Sequence, residues 1–129
     1  MRKIILSLIL SSLSIISFSQ GISKGTYEKI LSSQNINQFC QYLNSTVELT
    51  TPGKTGSYSL QQTKLILKEF FRNHKVEDFT IKHSGDFEDN SIFYLGELKT
   101  KSGKKFRVYF VSRQKSNKWL IHIFKIEKH

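Results

Sequence analysis

A chain of 129 residues has the length of one folded domain, so a second folded unit is not expected. Its single cysteine, Cys40, excludes an intramolecular disulfide, and the domain must be held by its core. The formal net charge of +10 favours anionic polymers or membrane surfaces as neighbours.

The first residues read as a leader. Met1, Arg2 and Lys3 make a positive start, Ile4 to Phe18 is an apolar and serine run, and Ser17-Phe18-Ser19 supplies small residues where a signal peptidase reads them. Residues 1–19 are therefore expected to be a signal peptide, cut after Ser19 or Gln20, and residues 20–129 the mature domain. The run is shorter than the ~20 apolar residues that span a bilayer, and polar Ser19 and Gln20 follow it. No later segment is apolar enough to span. No cysteine ends the run, as a lipid anchor would need. The expected location is periplasmic or extracellular, which makes nucleic acid a poor partner. Removal of Arg2 and Lys3 leaves 10 − 2 = +8, and most of that excess lies from Lys99 onward, where ten Lys and Arg face the single acid Glu127. Lysines at strand ends also protect sheet edges.

Tyr27, Ile30 and Leu31 lie at helical spacing. Asn35 then opens a second pattern with Ile36, Phe39, Cys40 and Leu43, capped with Gln38 as reciprocal partner and stopped at Asn44. Cys40, beside Phe39 and Leu43, reads as a small core residue, with an intermolecular link as the alternative. Val47 and Leu49 alternate as a short strand. Thr51-Pro52-Gly53-Lys54 has proline and glycine at the two central positions of a type II turn, and Gly56, Ser57 and Tyr58 return from it. Ser59 with Gln62 makes a capping box for the longest helix, whose stripe of Leu60, Thr63, Ile66, Leu67, Phe70 and Phe71 must lie on a sheet. Gly53-Lys54-Thr55-Gly56 lacks the spacing of a phosphate loop.

Four strands follow between Phe79 and Glu127. A two-residue turn at Asp89-Asn90 sets Phe87 against Ile92, Ile81 against Leu98 and Lys82 against Glu97, whereas a three-residue loop would put Ile81 against Glu97. A loop at Lys101-Ser102-Gly103, with Gly103 left-handed, sets Leu98 against Phe106, Tyr94 against Phe110 and Glu97 against Arg107. A loop at Lys115-Ser116-Asn117 sets Phe110 against His122, Val108 against Phe124 and Phe106 against Ile126. These registers place Phe79, Ile81, His83, Tyr94, Leu98, Phe106, Val108, Phe110, Leu120, His122, Phe124 and Ile126 on an inner face, with Gly85 and Gly96. The outer face carries a ladder of Lys82, Glu97, Arg107 and Lys125, and also Phe93, Leu95, Tyr109, Val111, Trp119, Ile121 and Ile123. So apolar a second face needs a cover, which points to a homodimer or an envelope protein partner.

The order of two helices, a short hairpin, a long helix and a four-stranded meander is similar to the nuclear transport factor 2-like fold, an α+β cone with N-terminal helices packed on a curved, mostly antiparallel sheet. Tyr42-Leu43-Asn44-Ser45-Thr46-Val47-Glu48-Leu49, Pro52-Gly53-Lys54 through Tyr58-Ser59, Ile66-Leu67-Lys68-Glu69-Phe70-Phe71, Phe106-Arg107-Val108-Tyr109 and Ile126-Glu127 resemble an exported bacterial family known as domain of unknown function 4783. That resemblance spans nearly the whole mature chain and implies the cone, which is also called cystatin-like. It implies no activity.

Enzymes of the wider fold, such as ketosteroid-isomerase-like proteins, hold a carboxylate base inside the cone. Here no Asp or Glu falls on the inner face of the four strands, leaving His83 or His122 as the base and Tyr94 as a hydrogen-bond donor. No catalytic residue, cofactor or metal site is assigned, because His74, His83, His122 and His129 show no ligand spacing and Asp86, Glu88, Asp89 and Asn90 match no calcium loop. Three readings stand. The protein is a non-catalytic interaction module using its outer face; or it binds a small apolar ligand in a pocket ringed by Tyr58, His83, Tyr94, Phe110 and His122; or its histidines perform an acid–base step.

Overall fold

The computed structural model describes residues 21–129, so the leader expected over residues 1–19 lies outside the described residues. Three helices precede or interrupt the strands: α1 (Lys24–Ser32), α2 (Ile36–Phe39) and α3 (Leu60–Asn73). Six strands, β1 (Leu43–Thr51), β2 (Lys54–Ser59), β3 (Val76–Phe87), β4 (Ser91–Thr100), β5 (Lys105–Lys115) and β6 (Lys118–Lys128), form one sheet in the order β2-β1-β6-β5-β4-β3. All neighbours are antiparallel except β1 and β6, which run parallel.

Local chemistry sets the helix ends. The Ser59 side chain accepts from the Gln62 backbone N–H while the Gln62 side chain accepts from the Ser59 N–H, closing the capping box that starts α3. Asn35 caps α2 with its side chain, accepting from the Gln38 N–H at 3.1 Å, but the expected reciprocal bond is replaced by one from Asn35 Nδ2 to Gln38 Oε1 at 3.2 Å, because the Asn35 N–H is taken by the Ile30 carbonyl. That second helix is shorter than expected. It tightens into a 3-10 turn at Cys40–Tyr42, and Leu43 opens β1 instead of continuing the helical stripe, because its backbone pairs with Ile121 of β6. Gly53 takes φ +93° after Pro52, the geometry the turn between β1 and β2 requires.

The meander follows one expected register and departs from two. Between β4 and β5 the pairs Leu98–Phe106, Tyr94–Phe110 and Glu97–Arg107 form as expected, with Gly103 at φ +91°. The β3–β4 loop has three residues, not two: Phe87 faces Ser91, and Asn90 takes the left-handed conformation at φ +61°. The expected clash of Ile81 with Glu97 is avoided by an irregularity at Lys82, which resets Ile81 against Gly96 and Phe79 against Leu98. The β5–β6 turn has two residues, Ser116 and Asn117, both with positive φ, the primed geometry that suits right-handed strand twist. A bulge at His122 then sets Ser112 against Ile121 and Val108 against Ile126.

Each extra residue turns one end of its strand over. In β3, Phe79 and Ile81 stay inside, whereas His83, Gly85 and Phe87 follow Leu95 and Phe93 to the outer face. In β6, Phe124 and Ile126 stay inside, but Trp119 and Ile121 now share the inner side with Ser112, and Leu120 and His122 leave it. The expected ladder changes too: Arg107 lies between Glu97 and Glu127, while Lys125 faces Tyr109 and Lys82 sits in the irregularity. Gly96 is inside as expected, where an added Cβ would come within 2.7 Å of the Thr80 carbonyl oxygen.

The edge strand β3 is covered by polar side chains of α1 and the loop behind it. Backbone N–H groups of Ile81, Phe79 and Val76 donate to Glu28 Oε2 at 2.8 Å, Ser32 Oγ at 3.2 Å and Gln34 Oε1 at 2.8 Å. Gln34, at φ +58°, also donates from Nε2 to the Phe71 carbonyl, tying the end of α3 to the start of β3. The covered stretch of this edge, Val76 to Ile81, is a poor template for another strand. Replacing Glu28 by alanine leaves the Ile81 N–H without its acceptor, and urea unfolding should show a loss of about 1–3 kcal/mol; an unchanged midpoint would show that water serves that group equally well.

Candidate functional site

The inner side of the sheet is organised by Tyr27, a buried residue of α1. Its ring meets Tyr94 and Phe110 edge-on at centroid distances of 5.1 and 5.0 Å and Tyr42 at 5.8 Å, while Tyr94 and Phe110 stack on each other at 4.8 Å. Edge-on and offset aromatic contacts of this kind add to the burial of the rings themselves. The chain before α1 closes the same end: the Tyr94 hydroxyl donates to the Ile22 carbonyl at 3.3 Å, and Gly21, at φ +69°, lies against Ile92, Trp119 and Tyr94.

Of the five expected pocket residues the structure brings together two, Tyr94 and Phe110, and Tyr27 occupies the space beside them. Tyr58 lies on the edge strand β2, opposite Val47, with its ring over Gly56 and two strands between it and β5. His83 is exposed and paired across from Leu95. His122 is the residue added at the β6 bulge, on the side of Arg113 and Lys115. Both histidines are therefore carried away from Tyr94 by chain irregularities. The helical spacing of Tyr27 was visible in sequence, but which side chains it would meet depends on where α1 docks.

Polar groups remain in this interior. Burial pushes the Tyr27 hydroxyl pKa far up, with Ser112 the one neighbour pulling it back and Tyr94 and Tyr42 adding smaller upward pushes. Yet neither the Tyr27 hydroxyl nor Ser112 Oγ closes a well-formed hydrogen bond among the described residues. Burial also raises Tyr94, with Asp86 contributing. Cys40 is half-buried, and its thiol is likewise raised by burial against the opposing pull of Lys64 and Lys68, which disfavours the reactive thiolate.

The outer side carries an aromatic strip. Phe87, Phe93 and Tyr109 follow one another with centroid distances of 5.4 and 6.4 Å, the second pair stacked. Gly85 makes room for this: a Cβ there would stand 2.6 Å from the Phe93 ring. Leu95 and Ile123 are half-buried beside the strip, and Val111, between Phe93 and Ile123, is buried. Phe87, 46% exposed, was expected elsewhere, because the two-residue turn would have paired it with Ile92. Trp119 and Ile121, expected here, have turned inward, with Ile121 fully buried.

Among the described residues no group of three or more His, Cys, Asp or Glu gathers as a metal ion would need, and no helix is long and apolar enough to cross a membrane.

The family model for a domain of unknown function, DUF4783, matches residues 26–127. A solved DUF4783 family protein from Bacteroides ovatus is 29% identical, with a TM-score of 0.76 over 85% of this chain and 97% of that one. A protein whose name marks it as NTF2 shares 17% identity, with a TM-score of 0.65 over 80% of this chain and 91% of that one. A protein of cystatin-like fold from Caulobacter vibrioides shares 8% identity, with a TM-score of 0.58 over 81% of this chain and 83% of that one. The last two are likenesses of fold, and together they make the architecture nuclear transport factor 2-like, or cystatin-like. None of the curated proteins matches the chain.

Two outcomes follow from the interior. Tyr27→Phe removes a desolvated hydroxyl and should hold or raise the melting temperature, whereas Tyr27→Ala empties the centre of the cone and should cost about 3–5 kcal/mol in denaturant unfolding. A large loss in the phenylalanine variant would mean that the hydroxyl is bonded after all. Burial, then Arg113 and Lys115, depress the pKa of His122. The unfolded chain thus takes up this proton first, and stability should fall as pH drops below about 6.5, the ordinary histidine value, toward the depressed one. His122→Gln should flatten that part of the pH profile of the melting temperature, and an unaltered slope would assign it to other groups.

Proposed function

Because the chain belongs to the DUF4783 family, which brings no activity with it, we propose a function from its surfaces: an exported, non-catalytic interaction protein that pairs with a second copy through the outer face of its sheet. The observation that carries this reading is the strip of Phe87, Phe93 and Tyr109, flanked by half-buried Leu95 and Ile123, on the side of the sheet that no helix among the described residues covers. Apolar side chains aligned on a sheet gain most from a cover that removes them from water at once, roughly 25 cal/mol for each Å² buried. A second copy laid across the same strip by a twofold axis supplies that cover with no other partner required. The ladder Glu97–Arg107–Glu127 crosses the face beside the strip and would set the angle of approach by opposing charges.

Export rests on the leader-like start of the sequence and places the pair in the periplasm or outside the cell. The two other readings have less support. A cone ligand would have to displace Tyr27 from Tyr94 and Phe110. An acid–base step would need His83 or His122 beside Tyr94, and both lie on the far side of their irregularities.

Sedimentation of residues 20–129 at tens of micromolar, roughly the range in which a moderate dimer saturates, should give twice the chain mass. Tyr109→Glu should give a monomer with unchanged far-ultraviolet circular dichroism. A monomeric parent protein would remove the second copy as the cover, and recovery of a distinct envelope protein bound to the parent but not to Tyr109→Glu would replace it.

A further inference from the structure

We propose that the cleft at the strand ends remote from the β3–β4 hairpin is a binding site for a small organic anion bearing two or more carboxylate or phosphate groups. The cleft measures about 520 Å³ and is lined by Pro52, His74, Lys104, Lys105, Phe106, Lys128 and His129. That volume falls within the range of small-molecule sites, about 300–1,000 Å³. Its lining residues are three lysines, two histidines, Pro52 and Phe106, with no Asp or Glu among them, although the His129 imidazole is itself paired with Glu97 at 3.7 Å outside the lining. Among the described residues none of Lys104, Lys105 and Lys128 has an Asp or Glu within 4 Å, since the two ion pairs formed are Lys99–Glu77 and His129–Glu97.

Lys104, Lys105 and Lys128 border one concavity, and the repulsion among their charges is relieved when an anion of matching charge enters. A halide neutralises one of them. A di- or trianion with a carbon skeleton matches the set, its apolar part meeting Phe106 and Pro52.

The frame that holds these groups is fixed by hydrogen bonds inside the protein. Thr100 N–H donates to the Lys104 carbonyl at 2.9 Å, Lys104 N–H donates to Thr100 Oγ1 at 3.0 Å, and Gly103 N–H donates to the Thr100 carbonyl at 2.9 Å. His129 N–H donates to the Lys105 carbonyl at 3.3 Å, which holds the end of β6 against the start of β5. The His74 ring stacks on Phe70 at 4.4 Å and meets Phe106 edge-on at 5.2 Å. Its Nδ1–H donates to the Phe70 carbonyl at 3.0 Å, which leaves Nε2 as the nitrogen available to a ligand. The β4–β5 turn and the end of β6 place Lys104, Lys105 and Lys128, all exposed, at the rim of one cleft that Phe106 also lines. The site does not depend on the outer aromatic strip, which lies toward the other end of the strands.

The test is a titration of ¹⁵N-labelled residues 20–129 at constant low ionic strength with citrate and, separately, with fructose 1,6-bisphosphate, each followed by amide shifts. The expected result is a saturable shift at Thr100, Lys104, Lys105 and Lys128 with one or both, the stronger probe telling carboxylate from phosphate. Lys104→Gln combined with Lys128→Gln should weaken that binding by about tenfold or more, whereas Lys29→Gln, on α1, should leave it unchanged. Shifts that stay linear with both probes, or saturable shifts that the double variant keeps, would overturn the proposal.

Discussion

The irregularities at Lys82 and His122 govern which side chains this protein shows to its interior and which to its surroundings. A strand presents alternate residues to opposite faces, so one added residue exchanges the faces of everything beyond it. In β3 the exchange sends His83 and Phe87 outward. In β6 it brings Ile121 and Trp119 inward. Bulges also bend the strand that carries them and sharpen its twist, which lets a six-stranded sheet curl around the helices on its inner side. The parallel contact of β1 with β6 completes the curl, since it brings the N-terminal hairpin beside the end of the meander.

Helix α1 uses consecutive residues for two separate tasks. Tyr27 places its ring at the centre of the aromatic cluster formed with Tyr42, Tyr94 and Phe110, and Glu28 gives its carboxylate to the Ile81 N–H on the open edge of β3. A helix lying along a sheet edge can do both because neighbouring residues differ by about 100° in direction, one toward the core and the next toward the edge. The same nine residues thus help both to fill the interior and, with Gln34 beyond them, to cover the Val76–Ile81 part of the edge. The hydroxyl of Tyr27 works against this arrangement, being buried without a complete hydrogen bond, and the burial of its ring outweighs that penalty.

Filling the cone shifts the surfaces that can meet other molecules to two places of unlike character. One is the outer strip of Phe87, Phe93 and Tyr109, apolar and broad, suited to another protein. The other is the cleft at the strand ends, where lysines gather around His74 and Phe106. The strip is built on strands, and the cleft on strand ends and turns held by backbone hydrogen bonds, which limits the ordering cost of binding at each. The basic excess that begins at Lys99 is thus distributed unevenly, with part of it drawn to one concave end of the molecule.

Wherever a few neighbouring residues decide the backbone, the sequence alone determined the outcome: the capping box of Ser59 and Gln62, the cap at Asn35, the turn at Pro52-Gly53, and the β4–β5 register with Gly103 left-handed. The order of elements and the family resemblance came from the same local signals. The β3–β4 and β5–β6 registers did not, because Asp89-Asn90 and Ser116-Asn117 each suit turns of more than one length, and irregularities several residues away compensate for either choice. Tertiary structure alone decided that His83 and His122 would leave the interior, that Phe87 would join the outer strip, and that Tyr27 would take the centre of the cone. It also gathered the ends of α3, β4, β5 and β6 around one basic cleft, since only the curl of the sheet brings residues so far apart in the chain within reach of one ligand.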